Sequence, residues 1–241
     1  MHQNVVQLEN IVKKYGDKVV LDNISLNLTA GEIVGLIGPS GAGKSTIIKI
    51  ALGMEVADAG YAEIFGEQMP QRKILGELGY MTQSDALYEQ LTGYENLKFF
   101  ADMKGLEPKT IDQEIKRVAE IVDLTTNLNI LVSAYSGGMK RRLSLAMTFL
   151  GHPQLLILDE PTVGIDPALR RQIWHELQVM RAEGRTILVT THVMDEAELT
   201  DRVALLLGGK LIANDSPKNL EQQYQVKSME EVFLQAEGVL S

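Results

Sequence analysis

The chain has 241 residues, 45% of them hydrophobic, which is enough to bury a sizeable core and to set disorder aside. Its net charge of -9 at pH 7 disfavours broad binding to nucleic acid or anionic lipid, and the absence of cysteine removes disulfides, thiolate metal sites and cysteine catalysis. No apolar run approaches the roughly 20 residues needed to cross a bilayer, and Met1–Asn10 has no basic-then-apolar leader, so the expectation is a cytoplasmic chain without a nucleic-acid partner.

Taken in chain order, Val5–Leu8 and Ile24–Leu28 read as strands, the second with period two. Glu32–Ile37 forms another and runs into a glycine-rich loop. There Gly38, Pro39, Ser40, Gly41, Ala42, Gly43, Lys44 and Ser45 fit the eight-residue phosphate-loop pattern between a strand and a helix. Glycines let successive backbone N–H groups converge on a phosphate. Lys44 adds a mobile positive charge, and Ser45, followed by Thr46, offers a hydroxyl to Mg²⁺. The helix after the loop, Lys44–Leu52, points its positive end at the same anion, and Gly53 suits a left-handed cap. Kinases, GTPases and many motors share this pattern, so by itself it marks only a nucleoside triphosphate site.

From Ser84 to Leu150 the pattern turns helical, with Ile111, Ile115, Val118 and Val122 at helical spacing. This block interrupts the strand pattern and is expected to be an inserted helical lobe. Within it Tyr135-Ser136-Gly137-Gly138-Met139 opens a helix, a second place where backbone donors face an anion, although Ser-Gly-Gly is also ordinary turn chemistry. The basic run Lys140, Arg141 and Arg142 that follows reads most simply as a solvated helix face. An anion brought by a second subunit is the alternative, because cations in a first helical turn are otherwise unfavourable.

Strands resume at Leu155–Leu158, an unbroken apolar run of the kind buried on both faces of a parallel sheet. It ends in Asp159 and Glu160. Asp159 is placed to hold Mg²⁺ and Glu160 to polarise an attacking water, a task that hydrolysis requires and mere binding does not. Asp166 and Pro167 then cap a helix whose stripe is Leu169, Ile173, Leu177 and Met180. Thr186–Thr190 and Val203–Leu207 are further strands around a short acidic helix, Met194–Leu199. The alternation predicts an α/β fold.

These motifs, in this order, resemble the ATP-binding cassette ATPases over essentially the whole chain. The resemblance implies a phosphate-loop core sheet (1–83 and 151–241) with an antiparallel β subdomain and an inserted helical lobe (84–150). Tyr15 is similar to the aromatic residue that stacks on adenine, and Gln83 to the glutamine that joins core and lobe and reaches the metal. Ser136, Gly137 and Gly138 resemble the signature motif, Asp166 the aspartate loop, and His192 the switch histidine at the terminal phosphate. Tyr135 and Met139 depart from the commonest signature, leucine and glutamine, and Met139 cannot donate the hydrogen bonds of a glutamine side chain.

The implied function is hydrolysis of ATP with Mg²⁺, carried by Glu160, His192 and Lys44. Two copies would pair head to tail and drive a separate membrane permease on the inner face of the membrane. The signature and the tail Ser228–Leu234 resemble the bacterial exporters of drugs, antibiotics and polysaccharides. An importer ATPase, a soluble mechanical factor on ribosomes or DNA, and a module without turnover are the rival readings.

Overall fold

Lys18 to Thr29 pairs back on Asn4 to Tyr15 because Gly16, at a φ of 58°, lets the chain reverse between them. The computed structural model describes residues 4–82 and 86–238. Along the chain its strands are β1 (Asn4–Tyr15), β2 (Lys18–Thr29), β3 (Ile33–Ile37), β4 (Ala59–Ile64) and β5 (Glu67–Gln68). They continue with β6 (Leu78–Met81), β7 (Leu155–Asp159), β8 (Thr186–Thr191), β9 (Arg202–Leu207) and β10 (Lys210–Asp215). The helices are α1 (Lys44–Ala51), α2 (Gly93–Met103), α3 (Ile111–Ile121), α4 (Gly137–Phe149), α5 (Pro167–Ala182), α6 (Met194–Ala197), α7 (Pro217–Tyr224) and α8 (Met229–Ala236).

Two compact units result, one from residues 1–74 and 186–241 and one from residues 75–185. The first holds an antiparallel sheet in the order β2-β1-β4-β5. Ile24, Leu26 and Leu28 line the buried face of β2, as the period-two pattern predicts. In β1 the alternation breaks after Leu8, where Asn10 takes a φ of 52° and the register shifts before Ile11. That bulge hides most of a twelve-residue strand from a periodicity search.

The same unit contains β3 between parallel neighbours β8 and β9, with β10 antiparallel on the outer side of β9. Every residue of β3 and β8 is buried, which explains the apolar sequence of β3 and the Ile187–Val189 run at the centre of β8. Ile37, Val203 and Leu205 form one core with Leu220 of α7 and with Met229 and Val232 of α8. The tail segment therefore helps to close the core beside the phosphate loop.

In the second unit β6 and β7 pair in parallel, and α2, α3 and α4 pack on one another. Ile111, Ile115, Val118 and Val122 are all buried, so the helical stripe is the packing face. Each such side chain contributes about 1.5–3 kcal/mol. Thr92 starts α2 with a complete capping box to Glu95. Among the described residues no helix is long and apolar enough to cross a membrane.

Candidate nucleotide site

The phosphate loop joins the buried end of β3 to α1, and its glycines answer to specific neighbours. A Cβ on Gly38 would stand 2.2 Å from the Leu206 carbonyl oxygen. One on Gly43, whose φ is 110°, would stand 2.7 Å from Leu21 Cδ2. Only glycine fits either place. Gly43 is also the N-cap of α1 and, having no side chain, gives it no side-chain cap, and the positive end of the helix faces the loop. The Lys44 side chain is only 6% exposed, and its ammonium donates to the Gly38 carbonyl at 2.6 Å and the Pro39 carbonyl at 3.0 Å. Ser40 and Gly41 lie toward the tip, Ala42 is buried, and Ser45 and Thr46 lie in the first turn of α1. A glycine cradle, a helix start without a side-chain cap and a sequestered cation fit a phosphate chain.

Tyr15 and His192 converge on that loop. Tyr15 ends β1 with its ring 49% exposed. Its hydroxyl donates to the Glu55 carboxylate and accepts from Thr46 in the first turn of α1. Lys13 Nζ lies 5.2 Å from the ring centroid and 3.3 Å from Glu55, so cation and carboxylate together set the ring's orientation. The Glu55 hydrogen bond lifts the Tyr15 pKa, and the same bond lowers that of Glu55. His192 is exposed just beyond β8. Ile37 and Thr191 are register partners, so Gly38 and His192 leave the sheet at the same edge. Thr191 Oγ1 accepts from the Val193 N–H at 3.0 Å and donates to buried Glu196 at 2.7 Å, which fixes the turn that carries the histidine.

The remaining residues lie in the second unit. Asp159, the last residue of β7, is 2% exposed. Burial, and then the charge of Asp159, raises the pKa of Tyr80. Glu160 is half-buried with a φ of 52°, a left-handed backbone that costs a non-glycine residue about 1–3 kcal/mol. Ser136 caps α4 by accepting the Met139 N–H at 3.2 Å. It keeps its own proton to donate outward. Gly137 is exposed, and a Cβ on Gly138 would stand 3.4 Å from the Gly164 carbonyl oxygen. Asp166 caps α5 by accepting from Ala168 at 3.1 Å and Leu169 at 3.0 Å. The Leu169 bond, foremost, holds its carboxyl below the usual range. Gln83 lies outside the described residues.

The basic run is not a solvated face. Lys140 pairs with Glu89, and Arg142 donates to the Asp123 carbonyl at 2.9 Å. Arg141 between them is buried at 9% exposure. Its guanidinium donates to the carbonyls of Thr82 at 2.8 Å, Asp159 at 2.5 Å and Glu160 at 2.6 Å. A helix turns about 100° per residue, so three consecutive cations point to three different places. Tyr135 is buried as well, with its hydroxyl donating to the Asn127 carbonyl at 2.8 Å.

Residues 21–163 match the family model described as ABC transporter. A Rhizobium sp. protein named Nod factor export ATP-binding protein I is 40% identical over 97% of this chain and 78% of its own. Its counterpart from Sinorhizobium fredii is 42% identical over 89% of this chain, which spans 64% of that protein. The probable multidrug ABC transporter ATP-binding protein YbhF of Escherichia coli is 38% identical over 97% of this chain, which spans 42% of it. Among solved structures, an ATP-binding subunit of an ABC transporter superposes with a TM-score of 0.89 at 27% identity, covering 96% of this chain and 98% of the other. An ATP-binding cassette in its ADP conformation matches in fold, with a TM-score of 0.78 at 22% identity, covering 96% and 99% of the two chains. With its glycine cradle, its match to the family model and its likeness over 97% of its length to an ATP-binding protein, the chain belongs to the ABC transporter family as an ATP-binding chain, in a family of ATPases coupled to transport.

Proposed function

We propose that this chain hydrolyses ATP to drive export through a separate membrane permease, pairing with a second copy of itself. The observation that carries the ATP site is that the loop and His192 follow register-partnered strand ends of one sheet in the first unit, while Tyr15, from the other sheet of that unit, reaches Thr46 at the start of α1. Lys44 and the α1 N-terminus bind the phosphates, and Tyr15 offers its ring to the base. Mg²⁺, held by Ser45, Asp159 and Gln83, would neutralise charge on the transferred phosphoryl group. Glu160 accepts a proton from the attacking water, and His192 orients at the terminal phosphate. Ser136, Gly137 and Gly138 contact the nucleotide of the opposite copy, and Asp166 lies at the same junction. Residues 84–150 carry the motion to the permease, which would hold the chain on the inner face of the membrane.

Export is supported by the names of the similar Nod factor and multidrug proteins. The test is Glu160→Gln in the chain purified with the permease. ATP should still bind while turnover falls by roughly 10²–10⁴, and the ATP-bound pair should persist on size-exclusion chromatography. Wild-type turnover in that variant would remove Glu160 from the mechanism.

A further inference from the structure

The corner that ends β7 holds a non-glycine residue, Glu160, in the left-handed region. Such a backbone persists only where its surroundings over-determine it. In an extended strand successive carbonyls point to opposite sides. Here the carbonyls of Asp159 and Glu160 converge on one nitrogen, Arg141 Nη2, at 2.5 and 2.6 Å. The other terminal nitrogen, Nη1, reaches the Thr82 carbonyl just beyond β6, at 2.8 Å. A planar guanidinium bonded to three carbonyls fixes their relative directions, and burial keeps water from replacing it.

We infer that Arg141 is a positioning residue for hydrolysis. By clamping the backbone of Glu160 it sets where the carboxylate starts and which way it points, without touching the nucleotide. This rests on the proposal that Glu160 is the base. Arg141 stands five residues after Ser136, about 7.5 Å along α4, so the helix that presents the signature serine also carries the clamp. The apparent charge run therefore contains one residue of mechanism between two residues of surface pairing.

The test compares Arg141→Lys and Arg141→Met, each alone and with Glu160→Gln, in the chain paired with its permease. A lysine ammonium lacks the fork that spans Thr82 and the Asp159–Glu160 corner together. Displacement of the base by about 1 Å is expected to lower kcat about tenfold in Arg141→Lys and on the order of 10² in Arg141→Met. The KM for ATP should stay within about twofold in both. In the Glu160→Gln background neither substitution should slow the residual rate further, because the group being positioned has gone. If Arg141→Met does not fold, Arg141→Lys alone carries the comparison. Wild-type kcat in Arg141→Lys, a loss in KM equal to that in kcat, or losses that multiply with Glu160→Gln would each overturn the inference. Rapid turnover by Glu160→Gln itself would instead remove the underlying reading of the base.

Discussion

Ile37 and Thr191 are direct partners in adjacent parallel strands, and the residues that follow them are Gly38 and His192. The first residue of the phosphate loop and the histidine proposed for the terminal phosphate thus share one sheet edge, at the carboxyl ends of the strands, where α/β folds gather their ligand sites. No side-chain contact is required for that juxtaposition. It follows from strand register alone.

Gly43→Ala should abolish high-affinity ATP binding while leaving most of the fold intact. Alanine at a φ of 110° meets Leu21 Cδ2 at 2.7 Å, and the strain is on the order of 1–3 kcal/mol. Titration with a fluorescent ATP analogue measures the affinity, and an unchanged value would show that the loop does not need its observed backbone.

Tyr15 should tolerate Trp and Phe better than Ala. Phe keeps the ring but loses the bond to Glu55 and the contact from Thr46, so its affinity should fall a few-fold, with Trp close to it. Ala forfeits a stacking face worth about 1–3 kcal/mol, a loss of roughly 5- to 150-fold. If Phe were as poor as Ala, the hydroxyl would be the functional group and stacking would not.

Ser136→Arg should leave ATP binding by a single chain nearly intact and suppress hydrolysis. The new side chain takes the place of an exposed serine that caps α4, and the lost cap accounts for only about 1 kcal/mol. Normal ATPase activity in fully substituted protein would contradict a nucleotide shared between copies.

Lys104 supplies a pH test. Burial pushes its ammonium from 10.5 down to about 8, against the partial support of Glu114. Below pH 8 both folded and unfolded chains carry the proton, and the fold bears the whole cost of a buried charge. Between about 8 and 10.5 the unfolded chain binds more protons, so stability rises with pH there. Lys104→Met, which also gives up a 2.9 Å bond to the Leu150 carbonyl, should therefore be more stable than wild type at pH 7 by on the order of 1–3 kcal/mol. That advantage should shrink by about pH 10. Urea midpoints at the two pH values decide the matter, and a constant difference would refute it.

Much of this is legible in the sequence. Asp166 and Pro167 announce the start of α5, the run from Leu155 to Leu158 announces a strand buried on both faces, and the loop from Gly38 to Ser45 stands where its pattern requires. What stays hidden depends on distance or direction. Glu55 reaches the Tyr15 hydroxyl from a segment 40 residues away, which sequence spacing does not connect to it. Strands β4 and β5 are short and largely exposed, so they carry little alternation. Arg141 differs from Lys140 and Arg142 only in the way it faces, and composition does not encode facing.

The Tyr135 hydroxyl that holds the Asn127 carbonyl also occupies the space above Gly93, where a Cβ would come within 2.3 Å of the phenolic oxygen. Residues 93 and 135 are therefore a matched pair: the tyrosine forbids any side chain at 93, and the glycine leaves room for a ring that the commoner leucine would not fill. Restoring leucine at 135 alone opens a gap, and adding a side chain at 93 alone creates a clash. Substitutions borrowed from relatives with the leucine signature would have to be moved into this chain two at a time.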